Sequence, residues 1–221
     1  ARSKELGVAL VNIGSLTTSL AVFEEGQLLH AAILPIGADH ITADIAIGLR
    51  CSINLAEKIK LEFGQANPEK IDKDDEVDIT PLISPDNEVD EPMTVPMKYL
   101  SGIIEARVGE IFHKVDAELK KINRSGMLPA GVVLLGGGAK LAGLTDLAKK
   151  NLRLPVCLGA NRNITAVIDK VNDLSYLTAL GLVAWGDHYD FLTGNDSIGG
   201  GFKPGQAIKR AKDWFGSLFL K

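Results

Sequence analysis

The chain has 221 residues, with 46% hydrophobic residues, 24% charged residues and a formal net charge of −4. That is enough apolar material to bury a core in one ordinary domain or two small ones. The acidic balance argues against a surface built to read nucleic-acid phosphates throughout, and leaves room only for a local basic patch.

The opening ARSKELGVAL lacks the apolar core and cleavage site of a secretory signal, and no run approaches the ~18 apolar residues of a membrane-spanning helix. With no initiating Met, and a strand-like run from Leu6, the start predicts a missing N-terminal portion. Three strand-like runs come first, Leu6 to Ile13, Thr17 to Phe23 and Leu28 to Pro35, the last two joined by Glu24-Glu25-Gly26. They predict an antiparallel meander. Asp39 is placed to cap a helix carrying Ile41, Ile45, Ile47 and Leu49, and a second helix is expected from Ile53 to Phe63, ended by Gly64.

Between Pro68 and Pro96 the character changes, with five of the nine prolines and ten acidic residues against Lys70 and Lys73. Composition alone reads as a solvated acidic loop. Two short β-capable pieces, Val77-Asp78-Ile79 and Met93-Thr94-Val95, and the periodic stretch Lys98 to Asn123 predict instead a small α+β subdomain over 67–125. The main domain resumes with a buried strand, Gly131 to Leu135, a helix from Leu144 to Leu152, a strand from Pro155 to Leu158 and an apolar helix from Leu174 to Trp185. Cys51 and Cys157, each in an apolar stretch, read as buried free thiols in a reducing cytoplasm. The four histidines share no ligand spacing, so no metal is assigned to them.

Two turns can carry chemistry. Asn12-Ile13-Gly14-Ser15-Leu16-Thr17-Thr18 joins two strands and can aim backbone N–H groups and hydroxyls at phosphate oxygens, although by itself such a turn is far more often only a hairpin. Gly136-Gly137-Gly138 sits between an apolar strand and a helix, where bare backbone can approach a flat or anionic ligand; one tight turn does not need three glycines. At the C-terminus, Ile208, Ala211, Trp214, Phe215, Leu218 and Phe219 form one helical stripe flanked by Lys209, Arg210 and Lys212, after the Gly-rich run TGNDSIGGGFKPG. Residues 203–221 carry five basic residues and Asp213, a local +4, which leaves −8 on residues 1–202. Such a segment on a flexible linker suits an anionic bilayer surface better than docking on its own domain.

In this order the motifs resemble the FtsA family of the actin-like ATPase superfamily. VALVNIGSLTTSLAVFEEGQLLHAAILPIGADHITADIA is similar to the family's second phosphate segment, AEKIK to its Ala-Glu-x-x-Lys, VVLLGGGAKLAGL to its adenosine motif, IIEARVGEIF to its filament-binding helix, and the basic end to its membrane anchor. The resemblance implies an α/β fold: an actin-like (ribonuclease H-like) ATPase lobe over 1–66 and 126–190, an inserted filament-binding subdomain over 67–125, a linker over 191–205 and an amphipathic anchor over 206–221. It implies that Gly14, Ser15 and Thr17 face the phosphates of ATP with Mg2+, that Glu57 and Lys60 meet ribose or base, and that Gly137, Gly138 and Lys140 bracket the adenosine. Arg107 would sit at the groove for the C-terminal tail of FtsZ. Ile208, Lys209, Arg210, Ala211, Lys212, Trp214, Phe215, Leu218 and Phe219 would bind anionic lipid.

The implied function is a self-assembling adaptor that tethers FtsZ filaments to the cytoplasmic face of the membrane at the division site, peripherally and without nucleic acid. Asn12 stands where the superfamily usually has Asp, and Ser15, Leu16 and Ser19 also depart from its pattern. A neutral amide cannot hold hydrated Mg2+ by charge, so hydrolysis is expected to be slow at most. The alternatives are a type IV pilus assembly scaffold of the same superfamily, an actin-like phosphotransferase or ATPase enzyme, and a nucleotide-independent membrane module.

Overall fold

A computed structural model of the chain describes residues 2–83, 93–161 and 169–193. Contacts divide the chain into residues 1–180 and residues 181–221. The first unit is built on a five-stranded sheet of β1 (Val8–Ile13), β2 (Thr18–Glu24), β3 (Gln27–Leu34), β6 (Val132–Leu135) and β7 (Val156–Leu158), in the order β3-β2-β1-β6-β7. β1, β2 and β3 form the expected antiparallel meander, whereas β6 lies parallel to β1 and β7 parallel to β6. The parallel pairing needs a long crossover, and residues between β3 and β6 supply it as helices.

Those helices are α2 (Ala38–Leu49), α3 (Ile53–Phe63) and α4 (Met97–Lys121), and α5 (Leu144–Leu152) follows β6. Ser52 caps α3 by accepting the Leu55 N–H, and Gly64 ends it. The i, i+3, i+4 stripe on α4 places Leu100, Ile104, Val108, Ile111, Phe112, Val115 and Leu119 wholly inside. α4 packs against both α2 and α5. Its residues share one apolar core with Ala9, Val11, Ile13, Leu20, Val22, Val132 and Leu134 of the sheet. Within segment 67–125, β4 (Glu76–Asp78) and β5 (Thr94–Pro96) form a separate antiparallel pair.

Several local expectations change. The chain begins with a short helix, α1 (Arg2–Leu6), rather than with a strand. Gly7, at φ +96, breaks the path, and the carbonyls of Lys4 and Glu5 accept the N–H groups of Gly26 and Glu25 in the β2–β3 turn. The cap of α2 is Gly37, not Asp39, which lies inside the first turn. Cys157 is exposed, because β7 is an edge strand, and Cys51 is only half-buried; both are free, with burial pushing the Cys51 thiol up.

The last helix, α6 (Leu177–Thr193), starts three residues late because Asp173 turns the chain, accepting the Ser175 N–H on its side chain and the Tyr176 N–H on its carbonyl. It also runs past Asp190, so the expected linker cannot begin at 191. In the second unit, Leu182, Val183 and Trp185 of α6 are exposed. Residues 194–205 of the linker and the amphipathic segment 206–221, with its lipid-facing candidates, lie outside the described residues. No helix among the described residues is long and apolar enough to cross a membrane.

Candidate functional site

Because β1 and β6 are parallel neighbours, with Asn12 opposite Leu135, both glycine turns leave the same end of the sheet side by side. In the first, the Gly14 N–H donates to the Thr17 carbonyl at 2.9 Å and closes the hairpin. The N-terminus of α2 then docks on it, with Ala38 N–H to Gly14 O at 2.8 Å and Asp39 N–H to Ser15 O at 2.9 Å. The Ser15 hydroxyl donates to Asp39 Oδ2 at 2.5 Å. Two of the otherwise unpaired N–H groups of the α2 terminus are thereby satisfied.

The second turn explains its glycines individually. Gly136 has φ +86, and a Cβ there would fall 2.3 Å from Asn12 Oδ1. A Cβ on Gly138 would fall 2.5 Å from Ile13 Cγ2. Both are required by the close passage of this turn over the end of β1. Gly137 is different, since a Cβ there would meet nothing nearer than Ser175 Oγ at 3.4 Å. The surplus glycine seen in the sequence is this one.

Helix α3 supplies the opposite side. Lys60 is buried, and its Nζ donates to Thr42 Oγ1 at 2.7 Å and to Ala38 O at 3.3 Å, and pairs with Glu57 Oε2 at 2.6 Å. In this i, i+3 pair Lys60 is therefore buried while Glu57 stays exposed. At the rim, Lys140 Nζ pairs with Asp173 Oδ2 at 2.6 Å. That hydrogen bond, helped by the Ser175 N–H, pulls the Asp173 carboxyl down to about 2.

Between these elements lies a cleft of about 580 Å³, within the size range of small-molecule sites. Its lining includes Gly14, Ser15, Glu57, Lys60, Gly137, Gly138 and Lys140. Seven of the eight residues singled out from sequence for nucleotide are brought together there. Thr17 is not among the lining residues; its carbonyl is the acceptor that closes the hairpin. Sequence reasoning missed Asp39, Glu62 and Ser175 as lining residues. Of these, only Asp39 had a signal, misread as a cap. Asn12 gives its amide N–H to Thr178 Oγ1 at 3.1 Å, linking β1 to the first turn of α6. No group of His, Cys, Asp and Glu suited to a metal occurs among the described residues.

Away from the cleft, Arg107 is not a free cation. Its Nε and Nη2 grip both oxygens of Asp44 on α2, at 2.5 and 2.8 Å, and its Nη1 donates to Glu110 at 2.5 Å. The hydrogen bond to Asp44 pushes the guanidinium pKa up, working against partial burial. On the same two helices, Ile47 of α2 and Tyr99 of α4 are exposed, the latter donating its hydroxyl to the Gly48 carbonyl at 3.2 Å.

The sequence matches the family described as Cell division protein FtsA over residues 9–181. It is 35% identical over 183 residues to cell division protein FtsA of Pseudomonas aeruginosa, covering 83% of this chain and 43% of that protein. Against FtsA of Bacillus subtilis it is 35% identical over 210 residues, covering 93% of this chain and 44% of that one. The chain thus spans less than half the length of these two relatives. Among solved structures, MreB5 of Spiroplasma citri bound to ADP is similar with a TM-score of 0.68 at 15% identity, covering 88% of this chain and 58% of that one. The five-stranded sheet, its helical crossover and these matches agree on an α/β lobe of the actin-like type, and the chain belongs to the FtsA family of cell-division proteins.

Proposed function

We propose that this chain supplies one wall of an ATP site in a division scaffold that self-assembles into filaments and ties FtsZ to the membrane. The observation that carries the reading is the meeting, in one cleft, of the two glycine turns at the ends of β1 and β6 with Glu57, Lys60 and Lys140. In this reading Gly14 and Ser15 lie toward the phosphates, with Thr17 shaping their turn. Gly137 and Gly138 let the nucleoside lie against bare backbone, and Glu57 meets the ribose or base.

The residues fit a nucleotide, and they also limit what happens to it. Mg2+ would arrive on the phosphates, since the described residues offer no cluster of their own for it. Asn12 has its amide engaged with Thr178 and has no charge to orient water, so turnover would be slow and binding the useful event. The helix α4 face around Arg107 would receive the acidic tail of FtsZ. Residues 67–125 would serve as the filament-binding part, residues 194–205 as the linker, and residues 206–221 would hold the assembly peripherally on anionic lipid at the cytoplasmic face of the division site.

Calorimetry with MgATP tests the core of this reading. The chain alone should bind weakly, and the chain extended to the full FtsA length should bind tightly. Tight binding by the chain alone would overturn the one-wall picture. No nucleotide binding by either form would overturn the proposal itself.

A further inference from the structure

Thr42, on α2, is a polar side chain only 3% exposed. Its hydroxyl donates to Glu57 Oε2 at 2.5 Å and accepts from Lys60 Nζ at 2.7 Å. A lysine ammonium has three N–H donors, and here three acceptors take them: Thr42 Oγ1, Glu57 Oε2 and Ala38 O. Lys60 has nothing left to offer a ligand. It is a buried peg between α3 and the first turn of α2.

Glu57 is in the opposite condition. One of its oxygens, Oε2, receives both Thr42 and Lys60, while Oε1 accepts no hydrogen bond among the described residues. The side chain is 41% exposed and lines the 580 Å³ cleft as well as an adjoining cavity of about 280 Å³. A glutamate has three side-chain torsions to fix, and a free one on a helix surface would lose that freedom on meeting a ligand. Here the loss is already taken in folding. A carboxylate only accepts, so its fixed free oxygen selects ligands that present a hydroxyl or an amine donor.

We infer that Thr42 is a positioning residue for ligand selection: with Lys60 it locks Glu57 so that the cleft prefers nucleotides carrying ribose hydroxyls over those without them. This rests on the nucleotide reading given above and assigns its recognition to specific groups. Thr42 is not among the residues lining the 580 Å³ cleft, although it lines the 280 Å³ cavity with Glu57. It acts through Glu57, and Lys60 moves from the set of ligand contacts to the set of supports.

The test compares ADP with 2′,3′-dideoxy-ADP on the 221-residue chain, by saturation-transfer NMR titration, which reads weak binding. The native chain should prefer ADP by at least about tenfold, the lower end of the scale for one hydrogen bond to a charged group. Thr42→Val, close in shape but without the hydroxyl, should bring the preference below about threefold while leaving the affinity for the dideoxy analogue unchanged. Thr42→Ser should restore it. A general loss of structure would weaken both ligands alike, so the unchanged dideoxy affinity separates positioning from folding; should Thr42→Val fail to fold, Thr42→Ala reads the same hydroxyl. Equal binding of the two ligands by the native chain would overturn the inference with the nucleotide reading intact. So would a full preference in Thr42→Val and Thr42→Ala. Binding of neither nucleotide, by this chain and by the chain extended to the full FtsA length alike, would remove both readings.

Discussion

The seat of α2 on the first glycine turn can be tested at Gly37. Its φ of −158 and ψ of −163 are extended, and any residue adopts them. The restriction comes from contact, since a Cβ there would stand 2.4 Å from the Ser15 carbonyl oxygen and 2.6 Å from that of Gly14. Both are backbone atoms and cannot swing aside. Gly37→Ala must therefore lift the helix start, stretching the bonds from Ala38 N–H to Gly14 O and from Asp39 N–H to Ser15 O. Two neutral hydrogen bonds are together worth about 1–3 kcal/mol, and overpacking costs about 1–3 kcal/mol when nothing moves. The two costs are alternatives along one relaxation, so the expected destabilisation is about 1–3 kcal/mol. A domain of ordinary stability survives that. Urea unfolding should show the midpoint falling at constant slope, and native-state hydrogen exchange should speed up at Ala38 and Asp39 before it does in β1. Because Ala38 O is also an acceptor of Lys60, nucleotide affinity should fall with it. A change under about 0.5 kcal/mol with unaltered exchange at those two amides would refute this account of the docking.

Three further outcomes are expected. Arg107→Met should abolish capture of an acidic tail peptide in fluorescence anisotropy, and Asp44→Ala, which frees the guanidinium, should tighten it; peptide affinity unmoved by both changes removes Arg107 from the partner site. Arg107→Glu is a poorer probe, because it sets a third carboxylate beside Asp44 and Glu110. The folded-state pKa of Asp173, lowered to about 2 from an unfolded value near 4, means that its link to Lys140 stabilises above about pH 4 and is lost as pH falls toward 2. Asp173→Asn should flatten acid unfolding in that window, and an unchanged profile would deny the link. Trp214→Glu with Phe215→Glu should end co-sedimentation with anionic vesicles at any salt. Replacing Lys209, Arg210 and Lys212 by Gln should only weaken it, since each large apolar group buries about 1.5–3 kcal/mol against about 1 kcal/mol per cation. Sedimentation of the glutamate variant would refute the anchor.

What could be read from the sequence follows from the range of the forces involved. The bounds of α3 and α5 agree with expectation to the residue, because a serine cap, a terminal glycine and an apolar period are local signals. The stripe on α4 was legible for the same reason, being seven core positions on one helix. What stayed hidden is non-local. Glu57 and Lys60 three residues apart look the same whether they lie on a surface or under α2, and only the approach of Thr42, 18 residues before Lys60, buries the lysine. Arg107 and Asp44 are 63 positions apart, and Asn12 and Thr178 are 166 apart. Gly37 was passed over because a glycine needed for contact carries no mark in its neighbours, whereas Asp39 resembles a cap by type.

The charges around the cleft explain why this wall, in the proposed reading, is only half of a site. Its lining holds Asp39, Glu57 and Glu62 against Lys60 and Lys140. Neither cation is uncommitted: Lys60 is spent on Thr42, Ala38 and Glu57, and Lys140 is paired with Asp173. A triphosphate entering this cleft meets shape, bare glycine backbone and fixed acceptors, but no spare positive charge. Compensation must come with the ligand as its divalent cation, or from the part of the FtsA length that this chain does not span. A phosphate held between two walls, each unable to neutralise it alone, draws the walls together, and its affinity then depends on their closure. In that reading the neutrality of Asn12 fits the same logic, since a site with no charge to orient water would keep its nucleotide, and the closure the nucleotide maintains, for longer.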